Sequence, residues 1–215
     1  MSTTPLPTAN RLKLTGVDWQ TYARLLRLFD ERRHLRITYD RGALEIMTLS
    51  PRHERIKHLL GLMVLALAEG LGVAVAGFGS MTFRRRRRRR GLEPDECFWI
   101  QHESQVRGRD QIDLRSDPPP DLVIEVDITR SSLDRMSIYG VLRVPEIWRF
   151  DDQGLAFLAR QADGSYAAIA HSLAFPQVTP ADLAGFLALR GQLDETAIVK
   201  QVRAWAAQRG GSVGP

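Results

Sequence analysis

The chain has 215 residues and carries 30 Lys and Arg against 25 Asp and Glu, a net charge of +5, with 44% hydrophobic and 26% charged residues; such a composition excludes a disordered polyelectrolyte, and the length suits a single domain with a sizeable mixed core. One cysteine, Cys97, excludes an internal disulfide and a multi-cysteine zinc site, as in proteins of a reducing compartment. The N-terminal MSTTPLPTANRLKL has no apolar segment behind its basic residues, and the longest apolar stretch, Leu59 to Ala68, is too short for a bilayer, so the expectation is a cytoplasmic protein with no membrane partner.

From the N-terminus, Trp19, Tyr22, Leu25, Leu26 and Phe29 recur at three- and four-residue steps, predicting an amphipathic helix over Asp18 to Arg33. Leu35, Ile37 and Tyr39 then alternate up to Asp40-Arg41-Gly42, beyond which Leu44, Ile46 and Met47 complete a β-hairpin. Ser50-Pro51 supplies a hydroxyl cap and a proline at the first helical position. The stripe Ile56, Leu59, Leu60, Met63, Val64, Leu67 marks the buried face of a helix ending near Gly70 to Gly72. Val73 to Phe78, Leu92 to Gln101 and Pro120 to Thr129 read as strands. Ser131 to Leu142 reads as a helix, Pro145 to Asp151 and Leu155 to Arg160 as strands joined at a turn, and Tyr166 to Ile169 as a further strand. From Thr179 two short helices lead into a Gly/Ser-rich tail expected to fray.

The basic excess is local. Seven arginines stand in one run, Arg84, Arg85, Arg86, Arg87, Arg88, Arg89 and Arg90, and without it the remaining basic residues fall two short of the acidic ones. Adjacent cations repel one another, so the run should form an exposed loop or strand edge. Three readings stay open for it: contact with a nucleic-acid backbone, a solvated loop, or an acidic protein partner.

In PPPDLVIEVDIT the alternation sends Leu122, Ile124, Val126 and Ile128 one way and Asp121, Val123, Glu125 and Asp127 the other. Neighbouring same-face carboxylates about 6.6 Å apart repel by roughly 2.5 kcal/mol at an effective dielectric near 20. A strand this apolar on its other face belongs inside a sheet, so a metal ion or an arginine should offset that repulsion. Asp95, after Pro94, opens a strand that can lie beside it, and carboxylates from adjacent strands suit a hard cation such as magnesium. His53 and His58 are five apart, not the four of a helical metal pair, and are expected in surface or capping roles, while Tyr139 and Trp148 are expected in the core. There is no G-x-S-x-G and no recognised Cys/His arrangement for a covalent nucleophile.

Taken in order, GALEIMTLSPRHERI, GLEPDECFWI, PPPDLVIEVDIT and IYGVLRVPEIWRF resemble a large bacterial family, abundant in cyanobacteria, of restriction-endonuclease-type proteins of unknown physiological role in the PD-(D/E)XK superfamily. The resemblance implies an α/β fold, a restriction-endonuclease-like core with a central mixed β-sheet flanked by helices. It spans about 35–175, with 1–34 as an N-terminal helical extension and 176–215 as C-terminal helices and flexible tail, all in one domain. It implies a phosphodiester-hydrolysing endonuclease acting on nucleic acid, in particular DNA, with Mg2+ or Mn2+ held by Asp95, Glu125 and Asp121. Catalytic roles fall to Asp95, Glu125, the helical acid Glu54 and Arg135, and two-strand cutting would suit a homodimer. The chain departs from the motif at Asp127, where the superfamily has lysine. Arg135, four residues before Tyr139, stands where many relatives carry a lysine on the following helix. Arginine can steady a phosphate, but its pKa above 12 makes it a poor general base. A catalytically inactive nucleic-acid-binding module and a protein-interaction module are the alternative readings.

Overall fold

A computed structural model describes residues 11–29, 35–128, 131 and 133–210. Two sheets organise the chain. The first, in the order β1-β3-β2-β6-β5, is antiparallel throughout and joins β1 (Arg11–Leu14), β2 (Leu35–Asp40), β3 (Ala43–Thr48), β5 (Phe83–Arg85) and β6 (Arg90–Leu92). The second, in the order β11-β10-β9-β8-β7-β4, contains β4 (Ala76–Gly77), β7 (Glu96–Trp99), β8 (Leu122–Val126), β9 (Glu146–Asp151), β10 (Gly154–Arg160) and β11 (Tyr166–Ile169). It is mixed: β8 and β9 are parallel, the other pairs antiparallel. Parallel neighbours need a crossover, and here α4 (Arg135–Leu142) makes it.

Local chemistry explains the helix ends. In α1 (Trp19–Leu28), Asp18 caps the N-terminus by accepting from the Thr21 amide at 2.7 Å; the predicted end at Arg33 lies outside the described residues. In α2 (Pro51–Leu71), Ser50 accepts from the His53 amide, Pro51 occupies the first turn, and Gly72 ends the helix in the left-handed conformation that glycine adopts without a Cβ clash. α5 (Pro180–Ala188) begins with a capping box between Thr179 and Asp182. The final helix, α6 (Glu195–Gly210), is 16 residues long, where the sequence suggested a short one, because Ile198, Val202 and Ala206 bury against α2. At the crossing a Cβ on Gly70 would stand 2.6 Å from that of Ala206. Of the tail expected to fray, Gly210 ends α6 and residues 211–215 lie outside the described residues.

The second sheet is covered on both faces. Leu122, Ile124 and Val126 of β8 face the cluster built on α2, α5 and α6, whereas Val123 faces a second cluster with Cys97, Trp99, Ile138, Tyr139 and Leu142. The predicted alternation is therefore realised, and β8 is interior to its sheet. A third cluster, Tyr22, Ile37, Tyr39 and Leu44, seats α1 on the first sheet.

Two strand expectations change. Leu92 to Gln101 is not continuous: it pairs with the first sheet up to Leu92 and with the second from Glu96. Pro94, with no amide hydrogen to give a ladder, stands at the transfer. The stretch from Val73 to Phe78 keeps only a two-residue pairing at Ala76–Gly77.

Candidate active site

The transfer between sheets leaves Asp95 at the mouth of β7. Glu96 pairs with Ile124 in antiparallel register, and one step further along that register Asp95 faces Glu125. Both carboxylates are buried, and both line a pocket of about 180 Å³ with Arg36, His53, Asp127 and Arg135.

Each acid has its own set of partners. Asp95 Oδ2 accepts from the Val126 amide at 2.8 Å and lies 2.9 Å from His53 Nε2, while Oδ1 is 3.7 Å from Arg36 Nε. Burial opposes the ionisation of Asp95, but the hydrogen bond and charge of His53, the Arg135 charge and the Val126 amide outweigh it and lower its pKa. Glu125 Oε1 accepts from Arg135 Nη2 at 2.6 Å and from the Tyr139 hydroxyl. Its carboxyl is pushed up to about 7, chiefly by burial, with Arg135 opposing and the Asp95 charge adding to the rise. Arg135 also donates to Thr38 Oγ1 at 2.7 Å and to the Glu93 carbonyl at 2.8 Å, so one guanidinium spans β2, the crossing segment and β8.

The other expected residues are distributed differently. Asp121, four residues before Glu125, is about 13 Å further back along the strand and does not line the pocket. Its carboxylate accepts from the amides of Ile100 (2.7 Å) and His102 (3.0 Å) and meets His102 Nδ1 at 2.5 Å, holding the turn after β7. Glu54 lies in the first turn of α2, its carboxylate half exposed, 2.8 Å from Lys57 and 3.4 Å from His53 Nδ1, so it reaches Asp95 only through the imidazole. Asp127 lines the pocket and accepts from the Ser131 amide at 3.1 Å. Among the described residues no three His, Cys, Asp or Glu side chains gather in a group that could hold a metal ion.

His53 is the main correction. It is buried against Asp95, not on the surface, and that hydrogen bond together with the charges of Asp95, Glu54 and Glu125 raises its pKa against the opposing effect of burial. The signal was in the sequence: stepping three residues back from Ile56 along the apolar stripe of α2 arrives at His53. Tyr139 is in the core as expected, yet its hydroxyl ends on Glu125.

The arginine run forms a hairpin. Arg84 and Arg85 lie in β5, Arg86, Arg87 and Arg88 in a single 3₁₀ turn, Arg89 takes φ 50° and Arg90 starts β6. Arg84 and Arg86–Arg89 are exposed. Arg90 has a structural part, bonding Asp40 at 2.9 Å and the Ser137 carbonyl at 2.9 Å.

A family model, Uma2, described as "Putative restriction endonuclease", matches residues 19–189, which include every residue of this pocket. No curated protein matches the chain. Among the described residues no helix is long and apolar enough to cross a membrane.

Proposed function

Because the chain belongs to the Uma2 restriction-endonuclease family, we propose that its pocket hydrolyses phosphodiester bonds of nucleic acid, DNA in particular, with a divalent cation held by Asp95 and Glu125. The observation that carries this reading is the pairing of two buried carboxylates across adjacent strands at one opening, beside a buried guanidinium. Two carboxylates with waters completing the shell suit magnesium or manganese better than an all-protein cage would. The donors fit such an ion. Glu125 Oε2 accepts no hydrogen bond among the described residues, and a cation would restore the charge that burial suppresses.

The cation would supply an activated water and screen the charge of the phosphate. Other roles fall to the chain itself. His53 positions Asp95 through its Nε2 contact, and Tyr139 fixes the rotamer of Glu125. Arg135 takes the phosphate oxygens, for which its planar fork is suited, but it does not replace the missing lysine as a base. Asp127, at the lysine position, adds a carboxylate to the rim. Glu54 acts at one remove, through His53.

A second reading has its own support. Glu125 already has Arg135 and Tyr139, and Asp95 already has His53 and Arg36, so the acids are balanced without an ion. That balance, with the lysine absent, favours a module that binds nucleic acid without cutting it. The test is a calorimetric titration of magnesium and manganese into wild type and Glu125→Gln, alongside plasmid nicking by wild type and Glu125→Ala. Binding and slow nicking that both vanish in the variants support cleavage. Wild-type protein that takes up no cation and leaves plasmid intact supports the binding module.

A further inference from the structure

A groove of about 1770 Å³ begins where the pocket ends: Asp134 and Met136 line both. Nine arginines line it against three aspartates. The aspartates are already engaged, Asp113 with Arg115 at 2.5 Å, Asp134 in capping α4, and Asp163 in accepting from Ser165. By contrast the side chains of Arg86, Arg87, Arg88 and Arg143 are exposed and have no hydrogen bond or ion pair among the described residues. A concave surface on which arginines outnumber aspartates nine to three focuses a positive field outward.

Arg143 adds an independent sign. It caps the C-terminus of α4 at φ 65°, ψ 32°, a left-handed position at which helices favour glycine. A long charged side chain kept in that conformation, facing a groove of like charges, points to use of the side chain and not of the backbone. Gly140, one turn earlier, allows α4 to lie against the Gly164 turn, where a Cβ would meet the Gly164 carbonyl at 2.1 Å. That contact brings Arg143 to the same groove as the hairpin tip, more than fifty residues away in sequence.

We infer that this groove carries the phosphate backbone of a nucleic acid to the pocket, with Arg143 and Arg86–Arg88 as its phosphate contacts. The inference rests on the proposed phosphodiester chemistry of the pocket, and it accounts for arginines that the chemistry leaves unused. A regularly spaced polyanion fits many forked cations along one channel, whereas a small anion would engage only one or two.

The test is fluorescence anisotropy of labelled duplex and single-stranded DNA with EDTA present, over a salt series, so that binding is read without cleavage. Arg143→Gly should weaken binding several-fold while leaving the melting temperature unchanged or higher, because glycine relieves the left-handed strain. The slope of log affinity on log salt should shrink by roughly 0.9 for each phosphate-contacting arginine removed from a duplex complex, both in Arg143→Gly and in Arg86, Arg87 and Arg88→Ser. Arg24→Ser with Arg27→Ser, exposed on α1 and outside the groove, should bind as wild type does. Glu125→Ala, which disables the pocket, should also retain binding, whereas wild-type protein that binds DNA in EDTA yet leaves plasmid intact in magnesium and manganese would count against the pocket chemistry and leave the groove standing. Arg143→Gly with wild-type affinity and slope would overturn the inference. So would polyglutamate binding as tightly as DNA at equal salt, which would make the partner an acidic polypeptide.

Discussion

Glu125 holds a proton at a pH where an exposed glutamate has lost it. Burial is the main cause, raising its pKa from 4.5 to about 7, with Arg135 opposing and Asp95 reinforcing. The folded state therefore binds this proton more tightly than the unfolded chain does, and the resulting stabilisation is full below pH 4.5 and lost as pH rises through 7. Glu125→Gln keeps a neutral side chain throughout, so urea denaturation across that range should show a flatter decline than in wild type. If the pocket takes a cation, its binding near pH 6 should release protons, visible as a heat that varies with the ionisation enthalpy of the buffer. Arg135 is tested separately. Arg135→Ala should slow nicking, and Arg135→Lys should cut at least as fast as wild type, because a desolvated lysine can shift toward neutrality and accept a proton. A lysine variant as slow as the alanine variant would show that the fork geometry matters and the ammonium does not. The structure adds His53 to this set, and its place was legible from the stripe of α2. The contribution of Arg36 was not, since nothing in LRITYD indicates which acid its guanidinium will meet.

Among the elements, legibility follows how local the cause is. Ser50-Pro51 and Gly72 set the limits of α2 by chemistry within a few residues, and the sequence placed both ends. The alternation in β8 likewise survives because each face has its own cluster. The stretch around Pro94 misled because hydropathy records burial but not which sheet a strand joins, and pairing partners lie dozens of residues away. The length of α6 escaped for the same reason, as its apolar side is defined by α2. A close approach can be tested directly at Gly140. Its missing Cβ allows the Gly164 carbonyl to pass, and Arg160 Nε donates to the Gly140 carbonyl at 3.0 Å, so the turn is held on both sides. Gly140→Ala should destabilise the protein by about 1–3 kcal/mol through overpacking against backbone. An unchanged thermal midpoint would mean that the turn moves aside freely.

Across the whole molecule, the family match ends at residue 189, yet the packing does not. Ile198, Val202 and Ala206 of α6 cover α2, which in turn carries His53 into the pocket. Truncation after Gln192 should therefore lower the melting temperature and raise binding of a hydrophobic dye, by uncovering the α2 face. A truncated chain that melts like wild type would show that α6 is an accessory to a self-sufficient core. Charge is equally uneven on this scale: the net +5 is concentrated in one hairpin, and the rest of the chain is slightly acidic. Any strong salt dependence should accordingly trace to the hairpin and its groove, with the average charge of the protein as a poor guide.

Arg135 contacts Thr38 in one sheet, the Glu93 carbonyl between the sheets and Glu125 in the other. A single guanidinium cannot satisfy Glu125 fully while also clamping an incoming phosphate. An anion at the pocket would thus draw Arg135 away and free Glu125 Oε1 from a competing guanidinium, which favours a metal cation there. By thermodynamic reciprocity a cation on Glu125 would release Arg135 toward the anion by the same factor. The two ligands would then bind with positive cooperativity without either touching the other. Inorganic phosphate or a non-cleavable oligonucleotide should tighten magnesium binding in wild type, and this coupling should disappear in Arg135→Ala.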